Sequence, residues 1–417
     1  MSRTLLHALF FIALPFMVYG VFAYTPAGKL FGQLNLFDLK NTASVFFETV
    51  TPESLKTRYE SGTFRILIVP GHDPLHSGAV FNGVPEETMT LLVAKKIASF
   101  LKQDPAFDVR VARDFDTRDY SQFLSDYFEN NREDINAFIT ERKTNFQLLQ
   151  EEGRIEQHTN IEHNFAPSET AFRLYGINRW ANEHSIDLIM HIHFNDYPGH
   201  GREDGKYTGF AIYVPDEQYG NARASTALAE ALKETLSYTF SPSDYPKENG
   251  GIVESQELIA LGSNATQVSA SLLLEYGYIY EPEFQEKDIQ DTAFTELALL
   301  TYYGIQDYFN GHRKADGYIY DTAILPHAFT DTLSKGNRGL DVFALQKALQ
   351  YAGVYPPHQS SVEECPINGV FGSCVERSIS VFQEKYREAI LSPENLSVGN
   401  GVFGERTRRT LQTVLHK

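Results

Sequence analysis

FRILIVPGH, residues 64–72, predicts a buried β-strand that stops at a Pro-Gly turn and is followed by a histidine. Residues 86–101 then have the apolar spacing of a helix, and residues 107–113, FDVRVAR, supply a second strand. Strands that alternate with helices favour a mostly parallel sheet with helices on both faces. This part of the chain therefore predicts an α/β fold.

The same alternation continues to about residue 309. We predict further helices and strands in the order helix 168–184, strand 187–194, strand 208–214, helix 222–236, strand 271–279 and helix 284–309. In sheets of this kind, ligands bind at the carboxyl ends of the strands. The functional residues are therefore expected where the strands end.

A polar segment at about residues 115–167 interrupts the alternation. Its apolar side chains recur at helical spacing, so one face can be buried; they are Phe123, Leu124, Tyr127, Phe128, Ile135, Phe138, Ile139, Phe146 and Leu149. We predict an inserted helical hairpin. It is a lid, an arm that docks a regulatory protein, or an inert insertion, and surface insertions are well tolerated.

The N-terminus predicts export from the cytoplasm. Arg3 precedes an uncharged run that continues to Gly28. An apolar stretch of about 20 residues can cross a bilayer, whereas a cleaved signal has a core of about 7 to 15 residues and small residues at its cut site. No Ala-x-Ala occurs, so we expect residues 1–28 to be a membrane anchor, with the rest of the chain extracytoplasmic. Residues 29–62 lack clear periodicity and are predicted to be a linker.

The amino-acid composition bears on the kind of molecule that the chain binds and on the state of its cysteines. The chain has 36 Lys and Arg against 54 Asp and Glu, a net charge of −18, which disfavours nucleic acid because its binders need clustered positive surface. Cys365 and Cys374 are the two cysteines. Outside the cytoplasm such a close pair most simply forms a disulfide.

The last part of the chain contains an internal repeat. GVFGSCVER begins at Gly369 and GVFGERTRR at Gly401, and each glycine-rich turn starts a helical run. GNRGLDVFALQKAL, residues 336–349, supplies another helix start. We predict a small all-α domain at residues 330–417, joined by a linker at 313–329 to the α/β domain at 63–312.

Four ionisable residues lie where an α/β enzyme would place its site. A catalytic zinc ion takes three protein ligands and keeps a fourth position for water. His72 follows the first strand, Glu86 begins the next helix, and His193 lies near the end of strand 187–194. Glu275 lies within an apolar strand, where a carboxylate needs a partner or a role. We predict a zinc site with the first three as ligands and Glu275 as the general base or acid.

Three blocks of sequence, in this order, resemble the zinc-dependent N-acetylmuramoyl-L-alanine amidases. They are VPGHDPLHSGAVFNGVPEETMTL at residues 69–91, WANEHSIDLIMHIHFND at 180–196 and SLLLEYGYIYEPEF at 271–284. The resemblance covers about residues 64–310. It implies that His72, Glu86 and His193 bind Zn²⁺ and that Glu275 is the catalytic carboxylate. The implied reaction cuts the amide between N-acetylmuramic acid and L-alanine in peptidoglycan.

Neighbouring residues leave alternatives open. Glu87 replaces Glu86 as a ligand if the helix begins one residue later. His191 points to the same strand face as His193, because side chains alternate, and either lines the site or forms a hydrogen bond within it. His76, where the family has a glycine-rich run, approaches the metal or the substrate. The helical insertion is also far longer than the connection that the family has there.

The C-terminal segment resembles the three-helix peptidoglycan-binding domain that is often attached to wall hydrolases. GLDVFALQKAL, GVFGSCVERSISVFQ and GVFGERTRRTL carry its Leu-Gln, Gly-x-Phe-Gly and aromatic-Gln positions over about residues 330–415. Two other functions remain open. One is a zinc carboxypeptidase or amidohydrolase that acts on another wall amide, and the other is a scaffold without catalysis that binds the wall.

Overall fold

The computed structural model describes residues 50–158, 166–197, 205–261, 265–266, 268–311 and 322–415. The predicted membrane segment at residues 1–28 lies outside these ranges, as do the first residues of both predicted linkers. Within these ranges, no helix combines the length and the apolar character needed to cross a membrane.

A six-stranded sheet is the centre of the α/β part. The strands are β1 (Phe64–Pro70), β2 (Val80–Phe81), β3 (Val84–Pro85), β4 (Phe107–Val111), β5 (Leu188–Asn195), β6 (Ala211–Pro215), β7 (Ile252–Ser255) and β8 (Ala270–Tyr278). The sheet order is β4-β1-β5-β8-β6-β7, and β2 and β3 form a separate hairpin. β6 runs antiparallel to β8, and the other pairs in the sheet are parallel. The predicted α/β fold with a mostly parallel sheet is confirmed.

Helices cover both faces of this sheet, and four more follow among the described residues of the C-terminal part. They are α1 (Pro52–Glu60), α2 (Glu86–Leu101), α3 (Gln122–Asn130), α4 (Arg132–Glu151), α5 (Ser168–Glu183), α6 (Ala222–Leu236), α7 (Pro282–Gln285), α8 (Lys287–Asn310), α9 (Leu340–Tyr351), α10 (Ser373–Lys385), α11 (Arg387–Ile390) and α12 (Glu405–Leu415). Alternate residues of β1 enter different apolar clusters: Ile66 and Ile68 pack with α2, and Leu67 and Val69 pack with α5. Burial on both faces explains why the central strands are nearly continuous apolar runs.

Residues 52–60, within the predicted linker, form α1 instead of irregular structure. The backbone N–H of Ser54 donates to the Thr51 hydroxyl at 3.0 Å, and the backbone N–H of Thr51 donates to the Ser54 hydroxyl at 3.0 Å. This reciprocal pair is a capping box, which satisfies free N–H groups at a helix start. Leu55 is buried and Arg58 forms an ion pair with Asp187, so α1 packs on the α/β domain.

The insertion contains two helices, α3 and α4, as the apolar spacing predicts. Leu124, Phe128 and Ile135 are buried in one cluster with Trp180 of α5, so the start of the hairpin is fixed on a sheet face. The other end reaches the residues after β6, where a ring nitrogen of His158 lies 2.8 Å from Asp216 Oδ2. The insertion is therefore attached at both ends of its described residues.

The C-terminal repeat has a structural basis. Gln346 Oε1 accepts hydrogen bonds from the backbone N–H groups of Asn368 at 3.2 Å and Gly369 at 2.8 Å. Gln383 Oε1 accepts the equivalent bonds from Asn400 at 2.9 Å and Gly401 at 3.1 Å. Each glutamine thus holds the turn that precedes the next helix, which explains why both turns have the same sequence. Cys365 and Cys374 form the expected disulfide.

The C-terminal helices meet the α/β part at a buried ion pair. Lys347 Nζ of α9 lies 3.2 Å from Glu296 Oε1 of α8, and both side chains are 1% exposed. Lys347 Nζ also donates to the Thr239 hydroxyl at 2.7 Å, and Leu340 N donates to Asp288 Oδ2 at 3.0 Å. We call the contact between α8 and α9 the α8–α9 junction. Its ion pair lies buried between the two parts.

Candidate active site

His72, Glu86 and His193 come together where β1 and β5 end, and we call them the triad. Glu86 is the central member: its Oε2 lies 3.0 Å from His72 Nε2, and its Oε1 lies 3.0 Å from His193 Nδ1. One ligand atom from each residue lies within 4.8 Å of the others. Glu86 is 5% exposed, whereas His72 is 31% and His193 is 17% exposed, so the triad opens to solvent on the histidine side.

The backbone around the triad leaves little space for larger residues. His72 has φ +64, a left-handed conformation that is uncommon outside glycine and that often occurs at functional sites. A Cβ on Gly71 would lie 2.3 Å from the His193 ring, and one on Gly78 would lie 2.4 Å from Glu86 Oε2. Glycine is therefore required at both positions for the triad to close.

The pKa values of the three triad residues are shifted in different directions. Burial opposes ionisation of Glu86, but its hydrogen bonds to His193 and His72 outweigh burial and lower the pKa of the carboxyl well below its usual range. Burial lowers the pKa of His193, whereas for His72 the contact with Glu86 outweighs burial and raises the pKa. An ionised carboxylate with a neutral imidazole is the form in which such groups bind a metal ion.

Glu275 lies beside the triad in the sheet. It pairs in parallel register with His193 across β5 and β8, so both side chains leave the same face. Its Oε2 is buried and accepts no hydrogen bond from the described residues. Burial first, and then the charges of Glu86 and Glu248, raise the pKa of Glu275 well above its ordinary value. A carboxyl group with a raised pKa and an unpaired oxygen is suited to moving protons.

The alternative ligands lie outside the triad. Glu87 is buried and binds Arg113 Nη2 at 2.9 Å and also Arg118, which gives it a structural role. His76 Nδ1 lies 3.2 Å from Asp73 Oδ1. His191 is buried, and burial lowers its pKa to about 3. Among the described residues, the group that could hold a metal ion contains none of these three.

Glu248 is a buried carboxylate near Glu275 that the sequence does not reveal. Its Oε1 accepts hydrogen bonds from Asn195 Nδ2 and the Tyr213 hydroxyl, each at 2.7 Å. Its Oε2 accepts from the Ser243 hydroxyl at 2.6 Å and the Tyr278 hydroxyl at 3.1 Å. Glu248 therefore connects the end of β5 to the loop before β7 and to the end of β8.

For the zinc site predicted from the sequence, Gly78→Ala is expected to weaken metal binding by about 10- to 100-fold, the range for residues that orient metal ligands. The new methyl group would displace Glu86 and His72, which lie 2.4 and 2.6 Å from its position. Gly83→Ala is the matched control, because Gly83 also has positive φ but no atom lies within 4 Å of an added Cβ. Competition with a fluorescent chelator measures both affinities. Equal losses in the two variants would contradict this role for Gly78.

Residues 66–307 match a protein family described as N-acetylmuramoyl-L-alanine amidase. Among solved structures, an N-acetylmuramoyl-L-alanine amidase from Clostridium difficile 630 is similar at 18% identity, with 60% of this chain and 98% of that chain covered and a TM-score of 0.37. The CwlD amidase from Clostridioides difficile in complex with the GerS lipoprotein has 17% identity, coverages of 60% and 99%, and a TM-score of 0.39. Ami1 from Mycobacterium smegmatis has 14% identity, coverages of 60% and 98%, and a TM-score of 0.39. No curated protein sequence matches this chain significantly.

Proposed function

The chain belongs to the N-acetylmuramoyl-L-alanine amidase family and hydrolyses peptidoglycan, and we propose that this hydrolysis depends on zinc held by His72, Glu86 and His193. The observation that carries the proposal is the triad itself, whose ligand atoms lie within 4.8 Å of one another. Two imidazole nitrogens and one carboxylate oxygen are a donor set that zinc hydrolases use, and it leaves a fourth position open. The residues present therefore fit the ion.

Glu275 is the proton carrier in this proposal. Bound zinc supplies a water of lowered pKa, about 7, and a Lewis acid for the scissile carbonyl. Glu275 accepts the proton that the attacking water loses and donates it to the leaving nitrogen of L-alanine. The C–N bond breaks, the lactyl group of N-acetylmuramic acid becomes a carboxylate, and the stem peptide leaves with a free amine. The raised pKa of Glu275 favours the protonated form needed in the second step.

Digestion of purified peptidoglycan by the full chain tests this function. We expect released stem peptides that begin with L-alanine, about one zinc ion per chain, and loss of release on chelation that added zinc reverses. Mass spectrometry of the fragments identifies the bond that is cut. Shortened stem peptides still attached to sugar would indicate a carboxypeptidase, and an intact wall would indicate a scaffold.

The proposal also includes the location of the enzyme and the roles of the segments outside its catalytic domain. We place the enzyme outside the cytoplasm, since its substrate is there and since Cys365 and Cys374 form a disulfide. Residues 1–28 are proposed to anchor it to the membrane, and the repeated turns of residues 330–417 to bind peptidoglycan. A regulatory protein that docks on the helical insertion remains a prediction from the sequence.

A further inference from the structure

Five tyrosines, which we call the tyrosine cluster, lie together at the edge of the sheet that carries the triad. The ring centroids of Tyr197 and Tyr207 are 4.8 Å apart, and that of Tyr245 lies 4.8 Å from that of Tyr207. Tyr207 lies 6.5 Å from Tyr278, which in turn lies 5.4 Å from Tyr280. The rings therefore form one continuous aromatic cluster.

The sheet places this cluster next to the catalytic groups. Tyr278 is three residues beyond Glu275 on β8, and Tyr197 is four residues beyond His193 at the end of β5. Tyr207 precedes β6, and the first residue of β6 pairs with Glu275. Glu248, whose charge acts on Glu275, accepts a hydrogen bond from the Tyr278 hydroxyl at 3.1 Å, so the cluster lies close to Glu275.

The cluster has a buried floor and a partly exposed upper layer. Tyr278 and Tyr280 are buried, whereas Tyr197, Tyr207 and Tyr245 are partly exposed. The floor is fixed by polar contacts: the Tyr278 hydroxyl donates to Glu248 Oε2 at 3.1 Å, and the Tyr280 hydroxyl donates to the Tyr207 carbonyl at 2.8 Å. Rings that are fixed in this way lose little conformational entropy when a ligand packs on them.

Ring faces with hydroxyl groups at their edges match the two sides of a sugar. A pyranose has an apolar C–H face that packs on an aromatic ring, and polar substituents around its rim that need hydrogen-bond partners. The bond that a muramoyl amidase cuts is attached to such a ring. A glycan strand whose amide is held at Glu275 is therefore within reach of the cluster.

A stem peptide is a poorer match for this surface. Extended peptides are commonly held by free main-chain groups along a strand edge. Here the backbone N–H groups of Thr208 and Gly209, which lie between Tyr207 and β6, already donate to Asp244 Oδ1 at 2.8 Å and Glu281 Oε1 at 3.0 Å. This segment therefore presents the Tyr207 ring, with Lys206 Nζ 4.9 Å from its centroid, and few free main-chain donors.

We propose that the tyrosine cluster binds the glycan strand of peptidoglycan by stacking on the sugar next to the N-acetylmuramic acid whose amide is cut. The proposal rests on the proposed function for the identity of the substrate. It adds a specificity element: the cluster selects for amides on a glycan strand over amides on a single sugar. Tyr207 and Tyr245, in the exposed layer, make the stacking contacts.

Steady-state kinetics with two soluble substrates test whether the cluster selects for amides on a glycan strand. For N-acetylglucosaminyl-N-acetylmuramoyl-pentapeptide, Tyr207→Ala and Tyr245→Ala are expected to raise KM about tenfold, which corresponds to the loss of about 1.4 kcal/mol from one stacked ring. For N-acetylmuramoyl-pentapeptide, KM should stay unchanged, and kcat should stay unchanged for both substrates. Tyr207→Phe, which keeps the ring, should retain the wild-type KM. Tyr302→Ala is the matched control, because Tyr302 is a partly exposed tyrosine on α8 that stacks on Phe100, at the opposite end of α2 from Glu86.

A binding measurement separates this proposal from the amidase function itself. Calorimetric titration of the zinc-free full chain with the N-acetylglucosamine tetramer, which has no peptide and no scissile amide, should show about tenfold weaker binding in Tyr207→Ala and Tyr245→Ala than in Tyr302→Ala. A KM that rises equally for both substrates would assign the cluster to the stem peptide and overturn the proposal. Unchanged KM and unchanged sugar binding in folded variants would overturn it too. Absence of any hydrolysis with intact sugar binding would refute only the proposed function.

Discussion

Glu275→Gln is expected to lower kcat by about 10²- to 10⁴-fold while the zinc content of the chain stays at the wild-type level. Glutamine has almost the same shape as glutamate but cannot take up and release a proton. Glu275 has the position for this role, because it pairs with His193 in the sheet and its Oε2 has no hydrogen-bond partner among the described residues. The zinc content should be unaffected because Glu275 is not a member of the triad.

The control for this prediction is Glu254→Gln. Glu254 lies on β7 in the same sheet, and its Oε2 accepts a long hydrogen bond from the backbone N–H of Glu217, away from the triad. Steady-state kinetics on a soluble muropeptide give kcat, and elemental analysis gives zinc per chain. If Glu275→Gln turned over substrate as fast as Glu254→Gln, Glu275 would not be the proton carrier.

Glu86→Gln is expected to lower zinc affinity by at least about 100-fold, beyond what the loss of an orienting residue costs, and to remove activity with it. The substitution removes the negative charge that lies between two imidazoles at 3.0 Å. Glutamine offers zinc a neutral oxygen, which is a weaker ligand than a carboxylate. Competition with a chelator measures the affinity.

Glu87→Gln is the control, and we expect it to lower the stability of the fold and to leave zinc binding unchanged. Arg113 is fully buried and would lose its charged partner at 2.9 Å, so the free energy of unfolding should fall by about 3 to 5 kcal/mol. The folded molecules of Glu87→Gln should keep their zinc. Urea unfolding and zinc analysis on both variants distinguish the two glutamates. Zinc lost from Glu87→Gln but kept by Glu86→Gln would make Glu87 the ligand.

Local sequence patterns were enough to predict the helices and strands that have strong hydrophobic periodicity and clear ends. α2 and α6 have the predicted bounds because each has a continuous apolar face. β7 was not predicted, since Ile252–Ser255 is short and follows two glycines. The antiparallel direction of β6 was also missed, because strand direction depends on how the chain returns to the sheet and leaves no local pattern in the sequence.

The residues of the candidate site likewise include some that the sequence predicts and one that it does not. His72, Glu86 and His193 could be predicted as candidate ligands because His72 follows a strand, Glu86 begins a helix and His193 lies near the end of a strand, each within a family motif. Glu248 could not be identified in this way. It lies in a polar loop, and its role near the site depends on four donors that come from separate segments: Asn195, Tyr213, Ser243 and Tyr278.

The α8–α9 junction bears on how wall attachment is studied in this enzyme. A shortened chain that ends before α9 would lack Lys347 and would expose the surface of α8 that α9 covers, including Glu296. Weaker hydrolysis by such a shortened chain would therefore mix loss of anchorage on the wall with damage to the hydrolase itself. Attachment is better measured in full-length chains that carry substitutions on the outward surfaces of α10 and α12, where the charge balance at Glu296 is preserved.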